Sequence, residues 1–195
     1  MLTRPRHAGV TLIELLIGIS IVAIALALGL PSMSTYIQNN KIGSVVGNYY
    51  GGLQMARTEA IRSNDPVEFV MTNATGLGAA PSPVGRNWVV RAVPLAGVQR
   101  LIDQKIAAEG EGSVNAAVQV TVFAAPAGFD GRITFNGFGA PTDNPYSFDV
   151  TNPVLGACVL LGGPARCRRI NVTSGGQITA CDPAAPPAAG DTRAC

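Results

Sequence analysis

Residues 9–16, Gly-Val-Thr-Leu-Ile-Glu-Leu-Leu, open an apolar stretch that continues to Leu30 and holds one charged residue, Glu14. The stretch is long enough for a helix to cross a hydrocarbon core of about 30 Å. Arg4 and Arg6 precede it, so the positive-inside rule places the rest of the chain across the membrane. A carboxylate at the bilayer centre costs roughly 2.5–3.5 kcal/mol on insertion scales. Glu14 therefore requires a partner.

Two simpler interpretations of this stretch stay open. The basic leader, the apolar core and Ala25-Leu26-Ala27 also fit a secretory signal peptide, although such cores usually run roughly 7–15 residues. An ordinary single-pass anchor would instead let the Glu14 side chain reach the headgroup region. That second interpretation explains the charge of Glu14. It gives no role to the Gly9-Val10 junction at the start of the apolar stretch.

Net charge excludes a global electrostatic attraction to nucleic acid. The chain has 195 residues, with 14 Lys and Arg against 12 Asp and Glu, which gives +2. Without residues 1–9, which hold two arginines and no acid, the balance is 12 against 12, or zero. Any nucleic-acid binding would have to rest on a local patch.

The helical pattern continues beyond the apolar stretch, so residues 31–64 are predicted to form an amphipathic second half. Pro31 removes a backbone donor and is expected to bend the helix. Ser63-Asn64-Asp65, before Pro66, predicts its end. The apolar residues that share one helical face are Ile42, Val45, Val46, Tyr49, Leu53, Ala56 and Ala60.

Residues 65–195 are predicted to form one β-rich domain, because short apolar runs alternate with Gly and Pro. Two segments are predicted to be loops, Thr72 to Arg86 and Ala107 to Asn115. The predicted class is α+β, a long N-terminal helix packed on a mostly antiparallel sheet. Predicted strands are Val67–Met71, Trp88–Val93, Gln119–Ala124, Arg132–Asn136, Tyr146–Val150, Cys158–Leu161, Arg168–Thr173 and Gln177–Ala180.

The four cysteines lie within the last 38 residues, and no pair has the Cys-x-x-Cys spacing of zinc or redox sites. Disulfides in an oxidising periplasm are the better interpretation. Pairing Cys158 with Cys167 and Cys181 with Cys195 closes two short loops and is favoured. A bridge from Cys158 to Cys181 across neighbouring strands stays open.

Three segments resemble known pilins. A short basic leader ending in Gly9, followed by Val10 and by Glu14 as the fifth residue from Val10, resembles the signal of type IV pilins and pseudopilins, although the family usually has Phe in place of Val10. Residues 56–61, Ala-Arg-Thr-Glu-Ala-Ile, and 131–137, Gly-Arg-Ile-Thr-Phe-Asn-Gly, look like landmarks of minor pilins of the FimT/FimU group and of the type II secretion pseudopilin GspH. Within residues 56–61, Arg57 and Glu59 also fit a solvated face.

This resemblance implies a bacterial inner-membrane protein with a single span, residues 10–30, and a periplasmic head. A prepilin peptidase would cleave after Gly9 and methylate Val10. Glu14 would neutralise a terminal ammonium inside a filament of major and minor pilins. The implied function is structural, in pilus assembly or initiation; a GspH-like secretion pseudopilin is the alternative.

A third alternative, a receptor for DNA uptake, rests on Arg166, Arg168 and Arg169. Some FimT-like pilins resemble DNA receptors with Gly-Arg-x-Arg near the last hairpin, and residues 176–179 here lack both arginines. Three cations on an exposed strand usually form a solvated edge. Nucleic-acid binding is therefore not expected.

No catalytic constellation is visible in the sequence. His7 is the single histidine and belongs to the leader, which excludes histidine triads and histidine metal sites from the mature chain. No cofactor, metal or small-molecule substrate is expected, and the chain is not predicted to be an enzyme.

Overall fold

The computed structural model describes residues 10–106, 118–143, 145–186 and 193–195, with the backbone alone for residues 28–32. The leader with Gly9, the Pro31 side chain and the whole of the predicted loop from Ala107 to Asn115 lie outside the described part. The chain divides into two compact units, residues 1–37 and 38–195. We call the second unit the head domain.

Helix α1 spans Leu12–Ser63, and its end agrees with the predicted stop before Pro66. Asn64, with φ 55°, takes the left-handed conformation that ends many helices. Gly137 packs against it so closely that a Cβ there would lie 2.4 Å from Asn64 Oδ1. Among the residues that are described, no helix has a run long and apolar enough to cross a membrane.

The described residues of the head domain form eight strands in two antiparallel four-stranded sheets, which confirms the predicted fold class. Sheet A has the order β3-β2-β1-β5, and sheet B has the order β4-β6-β7-β8. The strands are β1 Val67–Thr72, β2 Asn87–Ala92, β3 Arg100–Lys105, β4 Gln119–Ala124, β5 Arg132–Phe135, β6 Tyr146–Thr151, β7 Arg168–Val172 and β8 Ile178–Cys181.

The core lies between α1 and the inner faces of both sheets. The predicted apolar face of the helix is buried, except that Val45 is partly exposed. Gly52 brings α1 close to sheet A, because a Cβ there would lie 2.8 Å from the Phe69 ring and 3.0 Å from Trp88. Tyr49 packs edge-on against Phe69 at 5.8 Å and donates its hydroxyl to the Gly85 carbonyl at 2.8 Å. Burial raises the pKa of Tyr49.

The outer face of sheet A carries a buried ion pair. Glu68 on β1 and Arg91 on β2 are direct cross-strand partners, 2.8 Å apart, and each side chain is 9% exposed. Arg91 also donates to the Leu77 carbonyl at 2.9 Å, which ties the loop after β1 to the sheet. Arg132 on β5 reaches Glu68 at 3.3 Å. Glu68 and Arg91 therefore connect strands β1, β2 and β5 and the loop after β1.

Two strand predictions were wrong. Cys158–Leu161 is not a strand: residues Val159–Leu161 form a 3₁₀ turn, because Gly162 with φ 79° and Pro164 turn the chain back within a few residues. Strand β3 was not predicted. Its Arg100, Asp103 and Lys105 give it little apolar pattern, as suits an edge strand that must resist pairing with other chains.

Candidate functional site

The first turn of α1 positions Glu14. Thr11 lies just before the helix, and its Oγ1 accepts a hydrogen bond from the Glu14 amide at 3.3 Å. This is half of a capping box, and the Thr-x-x-Glu spacing could have predicted it. The Glu14 side chain is exposed at a helix N-terminus, where the helix dipole favours a negative charge.

Glu14 has no cation near it in sequence. Residues 10–40 contain no Lys, Arg or His, so the helix cannot supply a partner from its own side chains.

The described side chains of residues 10–27 are all exposed. They include Leu12, Ile13, Leu15, Leu16, Ile17, Ile19, Ile21, Val22, Ile24 and Leu26, which are apolar on every side of the helix. Contiguous apolar surface of this extent is rare on soluble monomers and marks a membrane or protein contact.

The first landmark segment, residues 56–61, contacts the turn that follows the second, residues 131–137. Arg57 on α1 donates its Nε to the Gly139 carbonyl at 3.2 Å. Gly176, in the turn between β7 and β8, lies against the same carbonyl, and a Cβ on Gly176 would lie 1.8 Å from that oxygen. The helix, the turn after β5 and the last hairpin therefore share one contact.

Glu59 is not part of a solvated face, since its side chain is 12% exposed. It accepts from Arg62 at 2.7 Å and from Arg100 on β3 at 2.9 Å. The hydrogen bond from Arg62, together with the one from Arg100, lowers the pKa of Glu59 to about 2. Arg57 and Glu59 thus fasten the end of α1 to two different parts of the head domain.

We expect Gly176→Ala to destabilise the head domain by about 2–4 kcal/mol, because the new methyl group meets backbone and the φ of 77° disfavours a side chain. Gly175→Ala is the matched control: a Cβ there has no atom within 4 Å, and its φ is not positive. The free energy of unfolding of both variants is measured by urea titration in detergent, with the fluorescence of the buried Trp88 as the signal. Equal losses for the two variants would contradict the proposed contact.

The three arginines considered for DNA binding do not form a free patch. Arg168 pairs with Asp182 at 2.7 Å, and Arg169 pairs with Asp149 at 2.6 Å. The guanidinium of Arg169 also lies 3.4 Å from the centre of the Phe123 ring. Arg166 is exposed and has no ion pair within the described ranges. Two of the three charges are therefore neutralised inside the head domain.

Both favoured disulfides are present in the structure, Cys158 with Cys167 and Cys181 with Cys195. The alternative from Cys158 to Cys181 is not formed. The second bridge holds the C-terminus beside β8, where the Asp182 amide donates to the Arg193 carbonyl at 2.6 Å.

Removing the second bridge by Cys181→Ser with Cys195→Ser is expected to cost roughly 2–4 kcal/mol. Limited proteolysis of this variant should cut first on the C-terminal side of Asp182, while α1 and the two sheets stay protected. Thiol counting in denaturant should find no free cysteine in the oxidised wild type. Four free thiols in protein produced in the periplasm would refute both bridges.

No group of three His, Cys, Asp or Glu side chains in the described ranges could hold a metal ion. Sequence reasoning missed Thr11, the Glu68–Arg91 pair, and Gln38 and Asn39, whose contacts are described below. Except for the Thr-x-x-Glu spacing, no local signal points to them.

Two family models match the chain. The model described as type II transport protein GspH matches residues 46–176, more than half of the chain. The chain belongs to the GspH family. The prokaryotic N-terminal methylation motif matches residues 4–30, which contain Gly9, Val10 and Glu14. Together they make this chain a minor pilin or pseudopilin of the type IV pilus and type II secretion group.

Two solved structures of one minor pilin show a similar fold. Two crystal forms of the type IV minor pilin FimU from Pseudomonas aeruginosa match with 12% identity and TM-scores of 0.52 and 0.51. Each covers 74% of this chain, and 90% and 96% of FimU. The minor pseudopilin EpsH from Vibrio cholerae matches with 12% identity and a TM-score of 0.46, over 71% of this chain and 94% of EpsH. No curated protein sequence matches the chain significantly.

Proposed function

We propose that this GspH-family chain is a structural minor pilin that enters a type IV pilus through lateral packing of its N-terminal helix. The mature chain begins at Val10, residues 10–30 hold it in the inner membrane, and the head domain lies in the periplasm. Its partners are the prepilin peptidase and other major and minor pilins, and it performs no catalysis.

The observation that carries this proposal is the surface of α1 before residue 28. Apolar side chains cover it all round, and its one charge lies in the first turn. Lipid can cover such a surface before assembly, and neighbouring helices can cover it afterwards. In a low-dielectric filament, Glu14 and a terminal ammonium stabilise each other, because either charge alone would be costly to bury.

Processing at the Gly9-Val10 bond is the first test. Intact-mass spectrometry of the protein from its own host should show the loss of residues 1–9 and one added methyl group on Val10. A Gly9→Val variant should keep the leader, because a bulky residue replaces the small one at the cleavage site. Cleavage after Ala27 would refute the pilin function altogether.

The matching family model, described as a type II transport protein, favours a second candidate, a subunit of a secretion pseudopilus. A type IV pilus and a secretion pseudopilus would use the helix in the same way. The phenotype of a gene deletion must therefore distinguish the two candidate functions. Deleting the gene should reduce surface pili and leave exoprotein secretion unchanged if the pilus proposal is right. Lost secretion with normal piliation would favour the pseudopilus.

Capture of DNA is not favoured, because Arg168 and Arg169 are both paired with carboxylates. Salt-dependent DNA binding that disappears in Arg166→Gln would reverse this conclusion.

A further inference from the structure

The loop closed by Cys158 and Cys167 carries exposed apolar side chains; we call residues 158–167 the apolar loop. Its 3₁₀ turn consists of Val159, Leu160 and Leu161, and all three side chains are exposed, with Leu160 at 61% and Leu161 at 76%. Since a 3₁₀ turn has three residues per turn, three successive exposed side chains point to different sides. The turn therefore projects from the head domain.

The apolar loop is held firmly in this shape. The Val159 amide donates to the Ala165 carbonyl at 2.8 Å, and the Gly163 amide donates to the Cys158 carbonyl at 3.0 Å. Gly163 lies so close to Ala157 that a Cβ on it would be 2.0 Å from the Ala157 carbonyl oxygen. With the disulfide across its base, the loop cannot easily fold its leucines inward.

Two amide side chains fasten the loop and the preceding turn to the beginning of the head domain. Asn39 accepts from the Arg166 amide at 2.7 Å and donates to the Pro164 carbonyl at 3.3 Å. Its neighbour Gln38 accepts from the fully buried Asn152 at 3.0 Å. Asn39 lies nine residues after Leu30, so the chain alone keeps this contact within about 32 Å of the end of the predicted span.

The apolar loop carries one charged side chain, the cation Arg166. Arg166 is exposed near the end of the loop and has no ion pair among the described residues. Exposed apolar side chains beside an exposed cation without an ion pair are a combination that binds anionic lipid surfaces.

We infer that the apolar loop is a second membrane contact, which inserts Val159, Leu160 and Leu161 among the headgroups of an anionic phospholipid surface while Arg166 faces the lipid phosphates. The inference rests on the proposed membrane anchoring. Two attachments, the helix and the loop, would fix the orientation of the head domain on the membrane before assembly. The contact would then be released when the subunit leaves the bilayer.

Photocrosslinking in the full mature chain tests this contact. The chain is reconstituted in vesicles of phosphatidylcholine with phosphatidylglycerol, and p-benzoylphenylalanine replaces Leu161 in one variant. The matched control replaces Leu95, which is 92% exposed in the connection from β2 to β3. That connection begins beside Pro66, just after the C-terminal end of α1, whereas Asn39 lies near the middle of the helix. A third variant carries the probe at Ile24 and reports on the anchor.

We expect phospholipid adducts at position 161 to exceed those at position 95 by roughly tenfold. Replacing phosphatidylglycerol by phosphatidylcholine, or Arg166 by Gln, should reduce them by about fivefold, since each cation near an anionic surface adds a modest attraction. Thiol counting verifies that the bridges have formed in each variant.

Other outcomes overturn the inference. Equal adducts at 161 and 95, or adducts at 161 that join two protein chains, would show that the loop does not contact lipid, and the second result would assign it to a neighbouring subunit. Adducts at Ile24 without adducts at 161 would reject the loop contact and leave the anchor intact. No adducts at Ile24 would reject the anchoring itself.

Discussion

Glu14→Gln is expected to lower incorporation into filaments to less than a tenth of wild type while the protein still reaches the membrane and folds. The variant keeps the shape of the side chain and removes its charge, so a terminal ammonium in the filament would be left unpaired. Leaving one member of a buried ion pair alone costs about 3–5 kcal/mol, more than enough for such a loss. Immunoblots of sheared filaments against the membrane fraction measure it.

Two variants separate the charge from the helix cap at Glu14. Glu14→Asp keeps the carboxylate and should recover part of the incorporation. Thr11→Ala removes the hydroxyl that accepts from the Glu14 amide, so it should cost only about 1 kcal/mol of helix stability and leave incorporation near wild type. Normal incorporation of Glu14→Gln would show that the residue serves the cap or the headgroup region alone.

The second large effect is expected at the buried pair on sheet A. Glu68→Gln leaves the Arg91 guanidinium buried beside a neutral partner, and we expect a loss of about 3–5 kcal/mol in the free energy of unfolding. Urea unfolding followed by Trp88 fluorescence in detergent gives the value.

Asp130→Asn is the matched control for Glu68→Gln, because Asp130 pairs with the same Arg132 but is 53% exposed. The Asp130→Asn variant should lose less than about 1 kcal/mol in the free energy of unfolding. The double variant Glu68→Met with Arg91→Met removes both charges and should be more stable than Glu68→Gln alone. A loss below 1 kcal/mol for Glu68→Gln would mean that water or another group compensates Arg91.

Local patterns predicted the fold where they were strong. The periodic apolar residues from Ile42 to Ala60 predicted the buried face of α1, because helix geometry alone decides which side chains align. The alternation in Tyr146–Val150 predicted β6 for the equivalent reason in strands. The edge strand β3 was not predicted, because its charged side chains give no apolar alternation. Such side chains suit an exposed sheet edge that must not pair with other chains.

Contacts between distant residues could not be predicted. Glu68 lies between apolar neighbours in the sequence, and nothing local indicates that Arg91, 23 residues later, will neutralise it. Asn39 likewise finds its partners in residues 164 and 166. The partners of Arg168 and Arg169 could not be predicted for the same reason: the fold brings Asp182 and Asp149 to them.

The two disulfides also bear on how the chain matures. Their cysteines pair in the order in which they are synthesised, with separations of 9 and 14 residues. Cys158 and Cys167 both emerge before Cys181, so an oxidant that joins each new thiol to the preceding unpaired one makes the native bridges at once. Slow thiol exchange, which takes seconds to hours, is then unnecessary. The apolar loop can acquire its shape before the last hairpin closes on α1.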